Sequence, residues 1–299
     1  MAVRVPQPTL RYAHKRRAGR RPPVGRGSGS GGGTDPWGTV GGRGVEEGVS
    51  VQESERYFFD LNGYVVVEGI LGPEELTAAN RAIEARELPV SRPEDGSPRF
   101  GGFLEWEEPL FRRLIDHPRL VPYLKALVGE GFRLDHEYGI YMRRNRAGLG
   151  LHGGGTPYDQ SQYYHVRDGR MFNGLIVVSW ALTEMPAGAG GFCCIPGSHK
   201  QAWRQPAEQG PFAPESVLRN PGQPAGSVLI FTEALRHGTL PWSADHERRS
   251  LLYKYCPGYM AWGQRQLSSA LLERLTENQR LVLEPPYVHG RKPIAVPDF

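Results

Sequence analysis

The stretch GSVLIFTEALRHGTLPWSADHERRSLLYKYC, residues 226–256, decides the fold class. Its ends, 226–231 and 249–256, are strand-length runs of aliphatic and aromatic residues. The charged group Asp245-His246-Glu247-Arg248-Arg249 between them reads as a hairpin tip. His237 follows the strand Val228-Leu229-Ile230-Phe231, where a sheet sandwich presents side chains into its mouth. Arg248 and Ser250 fall on one face of a strand because side chains alternate. A fixed guanidinium with a hydroxyl beside it can hold a carboxylate bidentately. The plainer reading of the same residues is a solvated charge cluster.

Working outward, further strands are expected near 133–142, 173–183 and 191–195, separated by Gly/Pro turns. This spacing predicts an antiparallel sandwich or jelly roll with its core at about 130–258, not a parallel βαβ sheet. Upstream, 58–63 reads as a turn and Tyr64-Val65-Val66-Val67 as a strand. Gly72-Pro73-Glu74-Glu75 opens a helix, with Leu76, Ala79 and Ile83 on its buried face. A second helix is expected over Pro109–Val128 and a last one over Gln266–Leu281. The helical flanks thus span 73–128 and 264–282, and 53–299 reads as one mainly β domain with flanking helices (α+β).

Hydrophobic residues make up 39% of the 299 and charged ones 23%, a composition that supports a globular core. The longest apolar run, 174–182, is too short to span a bilayer. The first 50 residues hold nine Lys/Arg and three Asp/Glu, a balance of +6, so with a formal total of +4 the rest of the chain carries −2. Basicity therefore belongs to the Gly/Arg/Pro-rich stretch 1–52, expected to be disordered, and specific nucleic-acid binding is not expected. Three cysteines, Cys193, Cys194 and Cys256, make no disulfide framework and fit a reduced cytoplasm.

Nine histidines are present, and two have a telling context. His152 lies in the glycine-dense bend Leu149-Gly150-Leu151-His152-Gly153-Gly154-Gly155, and His237 ends a strand. Imidazole suits iron, copper, nickel and zinc, and two histidines with one carboxylate and open positions mark non-haem Fe(II) oxygenases.

Residues from about 57 to 260 resemble the phytanoyl-CoA dioxygenase family of Fe(II)/2-oxoglutarate enzymes. The resemblance rests on Phe59-x-x-x-Gly63-Tyr64, Ser179-Trp180-Ala181-Leu182-Thr183-Glu184, Gly190-Gly191-Phe192-x-x-Ile195-Pro196-Gly197-Ser198-His199-Lys200, His237-Gly238 and Arg248-Arg249-Ser250-Leu251. It implies a double-stranded β-helix of cupin-like form. His237 would be the distal iron ligand and Arg248 the clamp on the distal carboxylate of 2-oxoglutarate, with Arg249 as fallback and Trp180 in the cosubstrate pocket. His199 looks structural. The cofactors implied are Fe(II), 2-oxoglutarate and O2.

One departure matters. The family's proximal motif is His-x-Asp, and here it reads His152-Gly153-Gly154. Gly154 offers no carboxylate, which resembles the Fe(II)/2-oxoglutarate halogenases, where chloride takes the vacated position. The expectation is a halogenase chlorinating an unactivated carbon of a freestanding small molecule, with a hydroxylase as the alternative if Asp159 or Glu184 supplies the third ligand. Two further readings stand beside these: water filling the third position, giving a slow or specialised oxygenase, and a degenerate site, leaving a binding protein. Arg143, Arg144 and Tyr164 are candidate substrate contacts, and an arginine facing the pocket would favour a phosphorylated substrate such as a nucleotide.

Overall fold

The computed structural model describes residues 51–88, 98–144, 148–203 and 214–298. All but the last two residues of the 1–52 stretch lie outside them. The chain runs α1 (Glu53–Asn62), β1 (Tyr64–Val67), α2 (Pro73–Glu84), β2 (Arg99–Phe100), α3 (Leu110–Arg113), α4 (Val121–Leu127), β3 (Arg133–Met142), β4 (Leu149–His152), β5 (Tyr164–Arg167) and β6 (Arg170–Asn173). It continues with β7 (Ile176–Ala181), β8 (Gly191–Cys194), α5 (Pro214–Val217), β9 (Val228–Thr232), β10 (His237–Leu240), β11 (Arg248–Cys256), α6 (Ser269–Glu273) and α7 (Glu277–Leu283). The strands pair antiparallel in a six-stranded sheet ordered β1-β9-β7-β11-β3-β2, a three-stranded sheet β4-β10-β8 and the hairpin β5-β6. This is the jelly roll with flanking helices expected from the strand spacing.

The large sheet is apolar on both faces, so strict alternation sorts its residues between two cores. Val178, Trp180, Ile230, Leu251, Tyr253 and Tyr255 pack with the helices. Val177, Ala181, Leu229, Phe231 and Leu252 face inward with Cys194, Leu235 and Trp242. Tyr253 and Tyr255 are fully buried, and their hydroxyls donate to Phe111 O (2.7 Å) and Ile115 O (2.8 Å). Those bonds satisfy carbonyls left free at the end of a short helix.

Local chemistry corrects the expected helices. The turn expected at 58–63 is the second half of α1, which Gly63 stops with a left-handed φ of 81°. The helix expected over 109–128 breaks into α3, a 3-10 turn (Leu114–Asp116) and α4. His117 precedes a proline and adopts ψ 128°, outside the helical region. Similarly, the helix expected over 266–281 becomes α6 and α7, because Thr276 starts a new helix by accepting from Gln279 N at 3.1 Å. Among the described residues no helix is long and apolar enough to cross a membrane.

Candidate metal centre and active site

Strands β4 and β10 pair so that His152 and His237 stand directly opposite, with ring centroids 4.2 Å apart. Each ring is oriented by a carbonyl. His237 Nδ1 lies 2.6 Å from Leu235 O and His152 Nδ1 lies 3.1 Å from Gly150 O. A carbonyl only accepts, so each Nδ1 carries the proton and each Nε2 keeps its lone pair for a metal. Burial pushes His237 down to about 4, against the pull of Glu233, so the imidazole is neutral and ligand-ready near pH 7.

The third member is Glu233, in the turn between β9 and β10. His152, His237 and Glu233 offer ligand atoms that all lie within 4.8 Å of one another. Glu233 Oε2 is 4.0 Å from His237 Nε2, while Oε1 pairs with Lys254 Nζ at 2.6 Å. Burial raises the Glu233 carboxyl, but His237 and Lys254 outweigh it and hold it below the usual carboxylate range. Two imidazoles and an ionised carboxylate are the donor set of a non-haem Fe(II) site.

The same cavity, of about 420 Å³, is lined by Arg248. Its guanidinium is buried, its Nη1 meets only Met142 Sδ at 3.5 Å, and its Nε has no partner. A buried guanidinium without a carboxylate is costly, and burial brings it down to about 10. Gly191 makes room for it, since a Cβ there would stand 2.8 Å from Arg248 Nε. Ser250, two residues on and on the same face, has a buried hydroxyl oxygen with no partner. Ser250 is not among the residues that line the cavity, so the orphaned guanidinium of Arg248 is the donor there that a carboxylate would satisfy.

Other expected site residues lie elsewhere. Gly154 leaves no open space: a Cβ there would stand 2.7 Å from Gln201 Nε2, and φ is 110°. The Gln201 amide crowds the direction a side chain at 154 would take, and Gly154 does not line the cavity. Trp180 points to the helix side, stacked edge-on to His117 at 5.6 Å, and Ser179 lines the cavity in its place. Arg249 also points outward and pairs with Glu84 and Glu247, both at 2.7 Å, so it cannot substitute for Arg248.

Asp159 closes a turn by accepting from Ser161 N and Oγ, and Glu184 accepts from Ala225 N. Neither joins the metal cluster. Arg143 and Arg144 pair with Glu247 and Asp245 on the surface, outside the cavity. Tyr164 bonds Asp60 and packs edge-on to His199, also outside it. His199 is buried, with Nε2 3.1 Å from Asp60 O, so it ties α1 to the loop after β8. The three thiols are buried, and burial raises Cys193 to about 11 and Cys194 and Cys256 to about 12.

Sequence reasoning missed Glu233 and Lys254. The signals were present: an acid four residues before the strand-end histidine, and a lysine in step with Arg248 and Ser250 on one strand face.

Among solved structures the fold is similar to that of HygX from Streptomyces hygroscopicus with nickel and 2-oxoglutarate bound, at 24% identity and a TM-score of 0.63 over 74% of this chain and 94% of that one. It is also similar to the carbocyclase SnoK of nogalamycin biosynthesis (18% identity, TM-score 0.57, 84% of this chain and 99% of that one). A third is the epimerase SnoN of the same biosynthesis (18% identity, TM-score 0.55, 81% of this chain and 97% of that one). No curated protein matches. Residues 59–250, which carry both histidines, Glu233 and Arg248, match the phytanoyl-CoA dioxygenase (PhyH) family, and the chain belongs to it.

Proposed function

We propose that this chain is an Fe(II)/2-oxoglutarate-dependent oxygenase that hydroxylates a small molecule, with His152, His237 and Glu233 as its metal ligands. The observation that carries the reading is the convergence of that triad and the unpartnered guanidinium of Arg248 in one cavity. Relatives in fold, HygX and SnoN, have been seen with hygromycin B and nogalamycin RO bound, which supports a small-molecule substrate.

Bound Fe(II) and 2-oxoglutarate would supply oxidation by O2 coupled to decarboxylation of the cosubstrate to succinate. The chain's own residues do the rest. Leu235 O and Gly150 O fix the imidazole tautomers, so both Nε2 atoms keep a lone pair that would hold the metal. Lys254 occupies one oxygen of Glu233 and leaves the other for the metal. Arg248 receives the far carboxylate of 2-oxoglutarate, which fixes the cosubstrate's orientation before reaction. Phe192, Phe231 and Leu252 line the cavity with apolar surface that limits water.

Halogenation is the second reading. Gly154 has no carboxylate, and the buried Gln201 Nε2 beside it lacks a partner, a donor that chloride would accept. Chloride needs the Gln201 amide to move aside, whereas Glu233 stands ready, so hydroxylation is favoured. The test is succinate formation from 2-oxoglutarate with Fe(II) and O2, followed by mass spectrometry of converted substrate with and without chloride. Expected are succinate production that H152A and H237A abolish and a product gaining one oxygen at every chloride level. A chlorine isotope pattern selects the second reading, and no succinate from the wild type overturns both.

A further inference from the structure

The cavity wall carries three permanent cations, Arg99, Arg248 and Lys254, against one carboxylate, Glu233. Fe(II) and the 2-oxoglutarate dianion cancel each other, so loading the site leaves the excess positive charge in place. That excess is not spread evenly: Lys254 is already paired with Glu233, and Arg248 is the one that would meet the far carboxylate of the cosubstrate. Neither arginine has an acidic side-chain partner among the described residues, and the cosubstrate carboxylate assigned to Arg248 leaves Arg99 with none.

Arg99 is placed by the sheet. In the pairing of β2 with β3, Phe100 lies across from Gly139 and Arg99 across from Ile140. The Phe100 ring fills the space above Gly139, where a Cβ would meet it at 2.0 Å, and this fixes the register. Arg99 therefore falls on the inner face, its guanidinium 4.8 Å from the centroid of the Tyr138 ring. His136, two residues before Tyr138, stacks between Tyr138 (6.0 Å) and Trp262 (5.2 Å). Its Nδ1 is held by Asp135 Oδ2 at 2.7 Å, which leaves Nε2 as its free nitrogen.

Resting on the oxygenase reading, we propose that the substrate carries an oxyanion, a carboxylate or a phosphate, seated on Arg99 with His136 beside it at the cavity wall. Tyr138 and Trp262 flank that seat and suit a flat apolar body attached to the anion. A guanidinium meets both kinds of oxyanion through paired donors. The anion role expected of Arg143 and Arg144 thereby passes to an arginine that does line the cavity.

The test uses the full chain, anaerobic, with Fe(II) and saturating 2-oxoglutarate, so that Arg248 is engaged. Phenyl phosphate, benzoate and benzyl alcohol are titrated as probes, read by the fluorescence of nearby Trp262 and by ligand-observed NMR. At least one oxyanion is expected to bind about tenfold or more tightly than the alcohol, with R99A erasing the preference and R99K keeping part of it. The stronger oxyanion distinguishes phosphate from carboxylate. Equal binding of benzyl alcohol, or a full oxyanion preference in R99A, overturns the proposal. The visible charge-transfer absorption of the Fe(II)–2-oxoglutarate chelate is recorded in the same samples. Its absence alongside an Arg99-dependent preference overturns the oxygenase reading and, with it, the assignment of that anion as substrate. Its presence with no preference overturns the oxyanion seat alone.

Discussion

Gly154 sits two residues after His152 with a φ of 110°. Its lack of a side chain invites the idea of a vacancy, yet the Gln201 amide stands 2.7 Å from where a Cβ would go. Restoring the family's acid there is therefore not expected to restore a ligand. G154D places an L side chain at φ 110° against that amide, and denaturant unfolding should show a loss of about 1–3 kcal/mol without tighter metal binding. Tighter Fe(II) binding by G154D would show that position 154 reaches the metal after all. Arg248 is the converse case, a side chain whose partner must come from outside. R248K keeps the charge but loses the planar fork, so the KM for 2-oxoglutarate in succinate formation should rise roughly tenfold with a smaller change in kcat. An unchanged KM would place the cosubstrate carboxylate elsewhere.

At the scale of elements, strand alternation explains both what could be read and what could not. In β11, period two sends Arg248, Ser250 and Lys254 inward and Arg249, Leu251 and Tyr253 outward, so the choice of Arg248 over Arg249 was legible once the strand began at 248. In β7 the same rule puts Trp180 outside and Ser179 inside, and a motif match had assigned the wrong neighbour. The short strands β4, β5, β6 and β10 carry glycine and charge instead of apolar runs, and no periodicity announces them. Helix breaks at His117 and Thr276 were local and readable, whereas Glu233 gains its meaning only when β9, β10 and β11 meet. Buried histidines at element ends also set a pH dependence. His117 and His199 are pushed by burial from 6.5 to about 4, so the folded chain holds them neutral while the unfolded chain protonates them first. Their contribution to stability is full above about pH 6.5 and is lost as pH falls toward 4. Unfolding midpoints of H199Q should fall less between pH 7 and pH 5 than those of the wild type, and an equal fall would mean that His199 does not titrate on unfolding.

Over the whole molecule, the jelly roll brings together groups far apart in sequence. His152 from β4, His237 from β10 and Glu233 from the turn before it meet because the small sheet closes over the large one. Behind them, β11 delivers the Arg248 guanidinium and β3 the aromatic rim. The basic first 50 residues supply none of these groups. On the proposed reading the family's acid is moved and not lost, from the bend after His152 to the turn before His237. A crystal structure of the full chain grown with Fe(II), 2-oxoglutarate and chloride tests this most directly. The expected result is Glu233 bonded to the iron beside His152 and His237, with Lys254 still on its other oxygen. Glu233 held away by Lys254, with chloride bonded to the iron instead, would contradict it.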